Sequence, residues 1–124
     1  MLQALWSVEL LTADRAVAAG VLIFHLRRVF GDYFQMGRLF GGDSQYYYAG
    51  EYQIENMVLS ARFDVVLYGN EPQEIFGPAR RCRVDFGGRL DACVERDAIT
   101  FAAQRSDDKD VAFEIRLTKR EPLE

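Results

Sequence analysis

The densest chemistry in the chain lies in one run, Gly41-Gly42-Asp43-Ser44-Gln45-Tyr46-Tyr47-Tyr48-Ala49-Gly50-Glu51-Tyr52. Paired glycines followed by Asp and Ser open some phosphate-binding loops. Here the GxxxxGK[ST] continuation is missing and no helix pattern follows. The same residues suit a bend, because glycine admits a bulge and Asp43 and Ser44 can bond turn amides. The remaining candidates for catalysis are sparse. His25 is the single histidine, and a Ser-His-Asp or Cys-His pair needs that base within reach of a nucleophile. It sits in an apolar strand pattern, and no nucleophile motif surrounds Ser7, Ser44, Ser60 or Ser106. Cys82 and Cys93 have neither a CxxC partner nor a histidine at zinc spacing. Asp107-Asp108-Lys109-Asp110 lacks the central glycine and closing glutamate of a calcium loop, and reads as a solvated turn. The expectation is a non-enzymatic protein without metal or cofactor.

Bulk composition narrows the class. The chain has 124 residues, 49% hydrophobic and 27% charged, a balance that predicts one globular domain over residues 1–124. A formal charge of -4 and a pI near 5.0 argue against direct nucleic-acid binding. The basic clusters Arg27-Arg28, Arg80-Arg81 and Arg83 have acids nearby and read as solvated strand faces. No apolar run approaches a transmembrane helix, and MLQALWSVELL lacks a signal-peptide pattern. A cytoplasmic location and free thiols are expected.

The elements that hold these residues read as strands. Apolar residues alternate at Trp6, Val8 and Leu10; at Met57, Leu59, Ala61, Phe63, Val65 and Leu67; and at Val111, Phe113, Ile115 and Leu117. Cys82, Val84 and Phe86, and Ile99, Phe101 and Ala103, form two more rows. Period two with one dry face predicts antiparallel strands. Short turn signals separate the rows, so the expected fold is an all-β meander of about eight strands closed into a small lipocalin-like barrel.

Parity then sorts the tyrosines. A Glu55-Asn56 turn would set Tyr52 opposite Leu59, Gly50 opposite Ala61 and Tyr48 opposite Phe63, all facing inward, with Tyr47 outward. Trp6, Tyr46, Tyr48, Tyr52, Phe63 and Phe101 are thus the candidates for lining a ligand cavity, or for filling it. A lengthened hairpin is expected near residues 17–42, where residues 17–26 are apolar on both faces. A Gly31-Asp32 turn would pair Phe30 with Tyr33, Val29 with Phe34, and Phe24 with Leu39. Its tip would present Phe30, Tyr33 and Phe34 as a partner surface, or fold back as a plug. Around Gly87-Gly88 two registers stand. A tight turn would bring Cys82 opposite Cys93, within disulfide geometry; alternatively the strand runs through and turns near Arg96-Asp97.

Four segments, MLQALWSVEL, RLFGGDSQYYYAGEY, EIFGP and IRLTKREPLE, together resemble the GrlR-like family, named for a negative regulator of type III secretion in enteric bacteria. The family motif falls on Gly41, Gly42, Asp43, Ser44, Tyr46, Tyr47, Tyr48, Gly50 and Tyr52. The resemblance implies a lipocalin-like barrel, usually a homodimer, without enzymatic activity. In the regulator that names the family, the barrel binds a transcriptional activator and keeps it from DNA. An acidic turn of four residues serves that role; it falls here on Ile54, Glu55, Asn56 and Met57, of which only Glu55 is acidic. The segment from about His25 to Gly37 departs from the family, which passes there through a short turn. The expected function is therefore regulation by protein–protein binding as a homodimer, with Phe30, Tyr33, Phe34, Tyr47 and Glu55 as surface candidates. The alternative is a carrier of a small apolar ligand inside the barrel.

Overall fold

The alternating rows become nine strands and one short 3-10 turn in a computed structural model that describes residues 3–12, 15–31, 34–77, 79–90, 94–95, 98–108 and 110–122. The strands are β1 (Ala4–Thr12), β2 (Arg15–Phe30), β3 (Phe34–Gly42), β4 (Tyr46–Glu55), β5 (Val58–Leu67), β6 (Arg81–Arg89), β7 (Val94–Glu95), β8 (Ala98–Arg105) and β9 (Ala112–Pro122). The 3-10 turn, Glu74–Phe76, lies between β5 and β6. All nine belong to one antiparallel sheet in the order β6-β5-β4-β3-β2-β1-β9-β8-β7. Pairing of β6 with β8, from Val84 opposite Arg105 to Gly87 opposite Ala102, joins the ends of that order. Eight strands thus close a barrel, and the two-residue β7 prolongs the β6 edge along β8. Closure removes the open edges that would otherwise template aggregation.

Period two fills the inside. Trp6, Val8 and Leu10 of β1, Leu59, Phe63 and Val65 of β5, and Phe113, Ile115 and Leu117 of β9 are all buried. Their neighbours along each strand are exposed or half-buried. No charged side chain of the described residues is buried. Rings interlock edge to face inside: Trp6 on Phe24 and Phe24 on Tyr52, at 6.5 and 5.2 Å between centroids, and Tyr48 on Phe63 and Phe63 on Phe86, at 5.5 and 5.7 Å.

Three registers differ from, or decide between, the sequence expectations. The β4–β5 turn is Asn56-Met57, not Glu55-Asn56. Tyr52 therefore opposes Ala61, Gly50 opposes Phe63 and Tyr48 opposes Val65. A displacement of two residues preserves parity, so every side chain keeps its expected face. Gly50 is small for a sharper reason than the one expected, since a Cβ there would stand 2.0 Å from the Arg62 carbonyl oxygen. The β2–β3 loop leaves three residues between Phe30 and Phe34, so Phe30 pairs with Phe34 rather than Tyr33, and Val29 with Gln35 rather than Phe34. A bulge between Leu26 and Arg28 absorbs the extra residue, and Phe24 still meets Leu39. Finally, β6 runs straight through Gly87-Gly88. Cys82 is a free, buried thiol; Cys93 lies outside the described residues.

The Asn56-Met57 turn carries positive φ at both residues, 53° and 65°, as a type I′ hairpin requires. Asn tolerates that region and Met does not, at a cost of about 1 kcal/mol. Met57→Gly is expected to raise stability by about 1 kcal/mol, read as a higher denaturant midpoint at unchanged slope. The Met57 side chain is 40% exposed, so little burial is lost. A lower midpoint would disprove the assignment of strain.

Candidate functional site

The GGDSQYYY run is an intramolecular clasp. Asp43 follows the last residue of β3, and its amide donates to the Tyr46 carbonyl at 2.9 Å. Its Oδ1 accepts from the amides of Gln45 and Tyr46, both at 2.8 Å. Its Oδ2 accepts from the Tyr48 hydroxyl at 2.6 Å. The Tyr68 hydroxyl donates to the Asp43 carbonyl. Gln45 continues the grip: its carbonyl accepts from the amides of Tyr68 and Gly69, and its Oε1 from Asn70 and Glu71, both at 3.0 Å.

The held segment, after β5, closes the barrel end. Gln73 donates its amide to the Tyr46 hydroxyl at 2.7 Å. The Tyr46 ring meets Phe76 edge-on at 4.7 Å, and Phe76 is fully buried. Gly77 turns the chain away at φ 79°, under the Arg105 guanidinium, where a Cβ would stand 2.8 Å from Nη1. Arg105 is itself fixed by two bonds to Asp107, at 3.0 and 2.9 Å. The segment around Ile75, Phe76 and Gly77 is therefore a plug, held by the tyrosine clasp.

The six inward candidates, Trp6, Tyr46, Tyr48, Tyr52, Phe63 and Phe101, are all buried, with exposures between 1% and 4%. Tyr52 and Phe63 line one hollow with Leu59, Ala61 and Phe86. Phe24 and Phe86 stand between the six as ring partners. Sequence reasoning placed Phe86 inward but missed Phe24 and Phe76 as members. Phe24 lies in a strand that is apolar on both faces, and Phe76 lies in a loop without periodicity. The isolated Ile-Phe pair inside EIFGP was the available signal. Burial and the neighbouring Asp43 carboxylate push the Tyr48 hydroxyl far above its ordinary range. Burial alone raises Tyr52 to about 12. Burial raises Cys82 to about 11, partly opposed by Arg105.

The outside is organised differently. Cross-strand rows place Val21, Gly42, Tyr47 and Val66 side by side, and Ile23, Phe40 and Ala49 in the next row. Val21, Phe40 and Tyr47 are 44%, 43% and 44% exposed. Tyr47 thus belongs to an apolar outer face that the sequence reading did not assemble. The other surface candidates lie at the far end of the same strands. Phe30 is 47% exposed and stacks on the half-buried Phe34 at 5.5 Å. Glu55 pairs with Phe34 on one side and Val58 on the other. Tyr33 lies outside the described residues. Phe30 does not plug the barrel; the buried Phe76 sits beyond the opposite ends of β4 and β5.

Between tip and apolar face runs a polar band. His25 is exposed there, opposite Arg38. Arg27, Arg28 and Arg38, with Met36, Gly37 and Glu51, line a shallow groove of about 360 Å³. Further round the wall, a broader hollow of about 1490 Å³ carries charges that neutralise each other. Arg62 meets Asp85 at 2.6 Å, and Arg81 and Arg83 meet Asp64 at 3.4 and 3.0 Å. The solvated-face expectation thus holds for Arg81 and Arg83. It holds for Arg27-Arg28 as well, which are exposed on β2, although they have no carboxylate within 4.0 Å among the described residues. No cluster of three His, Cys, Asp or Glu side chains capable of holding a metal occurs among the described residues. Comparison with protein-family models and with curated proteins finds no match for this chain.

Two expectations follow for the clasp. Asp43→Ala strips an acceptor from two turn amides and one hydroxyl. It is expected to cost about 3 kcal/mol in chemical denaturation, whereas Tyr48→Phe, which removes one donor, costs about 1 kcal/mol. Equal small losses would show that the clasp is not structural. The second concerns pH. Cys82 and Tyr52 have folded values raised above their ordinary 9.0 and 10.0. The folded state therefore holds these protons more tightly than the unfolded chain. Their contribution is complete below about pH 9 and is lost as pH climbs through about 11 and 12. The denaturant midpoint should stay level to pH 9 and then fall, with Cys82→Ala removing the earlier part. A midpoint that stays level to pH 11 would contradict the burial of both groups.

Proposed function

We propose that this is a non-enzymatic regulatory protein of the cytoplasm that acts by protein–protein binding as a homodimer. The GrlR-like resemblance of its tyrosine motif implies the same behaviour. One observation carries the reading: the barrel turns a continuous apolar surface outward, centred on Val21, Ile23, Phe40 and Tyr47. Exposed apolar surface gathered in one place marks an interface, whereas scattered apolar residues do not. Inside, the aromatic side chains pack on one another.

The neighbouring charges favour a second copy. Arg38, Glu51, Arg62 and Asp85 lie in one cross-strand row. Their signs alternate. A two-fold axis through the middle of such a row sets each arginine against a carboxylate of the partner, which is the self-complementarity an isologous contact needs.

The test is sedimentation at micromolar concentration. A dimer is expected, and Phe40→Arg or Tyr47→Arg is expected to weaken it at least thirtyfold, equivalent to about 2 kcal/mol, with an unchanged circular dichroism spectrum. A wild-type protein that stays strictly monomeric overturns the reading.

A further inference from the structure

The arginine groove gathers positive charge that no carboxylate answers among the described residues. Five other guanidiniums find carboxylates: Arg62 with Asp85, Arg81 and Arg83 with Asp64, Arg105 with Asp107, Arg116 with Glu9. Arg80 and Arg120 bond to uncharged oxygens. Arg27, Arg28 and Arg38 have no such pair among the described residues. They converge on one groove with a single acid, Glu51. The bulge between Leu26 and Arg28 brings them together, because the extra residue places Arg28 beside Met36 on the face that Arg38 shares. A chain of net charge -4 that concentrates three unpaired arginines on one arm has built a local field of opposite sign to its whole.

Apolar side chains border this charge. Met36 forms part of the groove, and the stacked Phe30 and Phe34 stand at its outer end. Bare phosphate chemistry has no use for these neighbours. An acidic polypeptide with apolar residues between its carboxylates uses both: the planar guanidiniums take carboxylates two at a time, and Phe30, Phe34 and Met36 supply anchors. From these features we infer that the groove formed by Arg27, Arg28, Arg38 and Met36 receives an acidic, apolar-interrupted segment of the protein partner. The inference rests on the reading of this chain as an interaction protein, and it names the chemistry of what the chain holds.

The probe is a synthetic peptide of alternating Glu and Leu or Phe, titrated into the isotope-labelled full chain and followed by amide chemical shifts. Shifts are expected at residues 27–28 and 34–38, weakening as salt rises from about 0.05 to about 0.5 M. Arg28→Glu with Arg38→Glu should raise Kd by about tenfold or more, and the corresponding Gln pair by less. These side chains are exposed, and a dispersed amide spectrum shows that each variant folds. A lysine-for-glutamate peptide should not bind. No shifts at millimolar peptide, or shifts mapping elsewhere, overturn the inference. So does equal binding of an oligothymidylate at the same residues, which would make the groove a phosphate site. Sedimentation of the same samples separates the two readings. A dimer that ignores the peptide keeps the proposed function and sinks this inference. Loss of the dimer on charge reversal, without peptide binding, assigns the groove to the second copy instead.

Discussion

Three donors converge on the Asp43 carboxylate, and the closed end of the barrel hangs on them. Oδ1 holds the two amides that turn β3 into β4, and Oδ2 holds the Tyr48 hydroxyl inside the barrel. Hydrogen bonds to an ionised acceptor are stronger than neutral ones, and a buried donor stripped of its acceptor costs its full desolvation. The consequences spread from there. With the bend fixed, Gln45 is aimed at the amides of residues 68–71 and Tyr46 at Gln73. With that segment fixed, Phe76 seals the core. A run that looks like a binding site is therefore spent on the fold. Four of its polar side chains are committed to their own chain, which leaves Tyr47 as the tyrosine of the triplet that faces outward.

On the outer wall, three surfaces follow different rules. The broad hollow over β4, β5 and β6 sets self-paired charges beside apolar lining that includes Tyr52, Leu59, Phe63 and Phe86. Exposed pairs of this kind contribute little to stability. The apolar face across β2, β3 and β4 has no such satisfaction. The arginine groove has charge without a counter-ion. Burial, not reactivity, explains the raised Cys82 and Tyr52 values, so these groups belong to the core account and not to chemistry.

Much of this architecture can be read from the chain because parity tolerates error. Placing the β4–β5 turn one residue early shifts the pairing by two, which leaves Tyr46, Tyr48 and Tyr52 inside and Tyr47 outside. The turn itself misleads because Met57 adopts a positive φ that its side chain disfavours. Where parity is silent, so is the sequence. Residues 17–26 are apolar on both faces, so neither Phe24 as a core ring nor Val21 as an exposed one can be told apart in advance. The bulge between Leu26 and Arg28 has no glycine to announce it. It is also the feature that decides which way Arg28 faces. The proposed interaction surface is thus poorly written in the sequence for the same reason that it is unusual: it breaks the alternation that strands such as β4 and β5 keep.

The two ends of the barrel divide the labour accordingly. At the plugged end the residues carrying the family resemblance are locked together. At the other end, the turn after the tyrosine strand lies beside the lengthened arm, since Glu55 pairs with Phe34. That turn carries one acid, Glu55, and the adjoining arm brings Arg27, Arg28 and Arg38. A docking surface selects partners by the sign of its field before any contact forms. With three arginines on this arm, a basic partner would be repelled and an acidic one drawn in. On the proposed reading, the arm therefore sets the charge of the partner while the clasp at the other end holds the core.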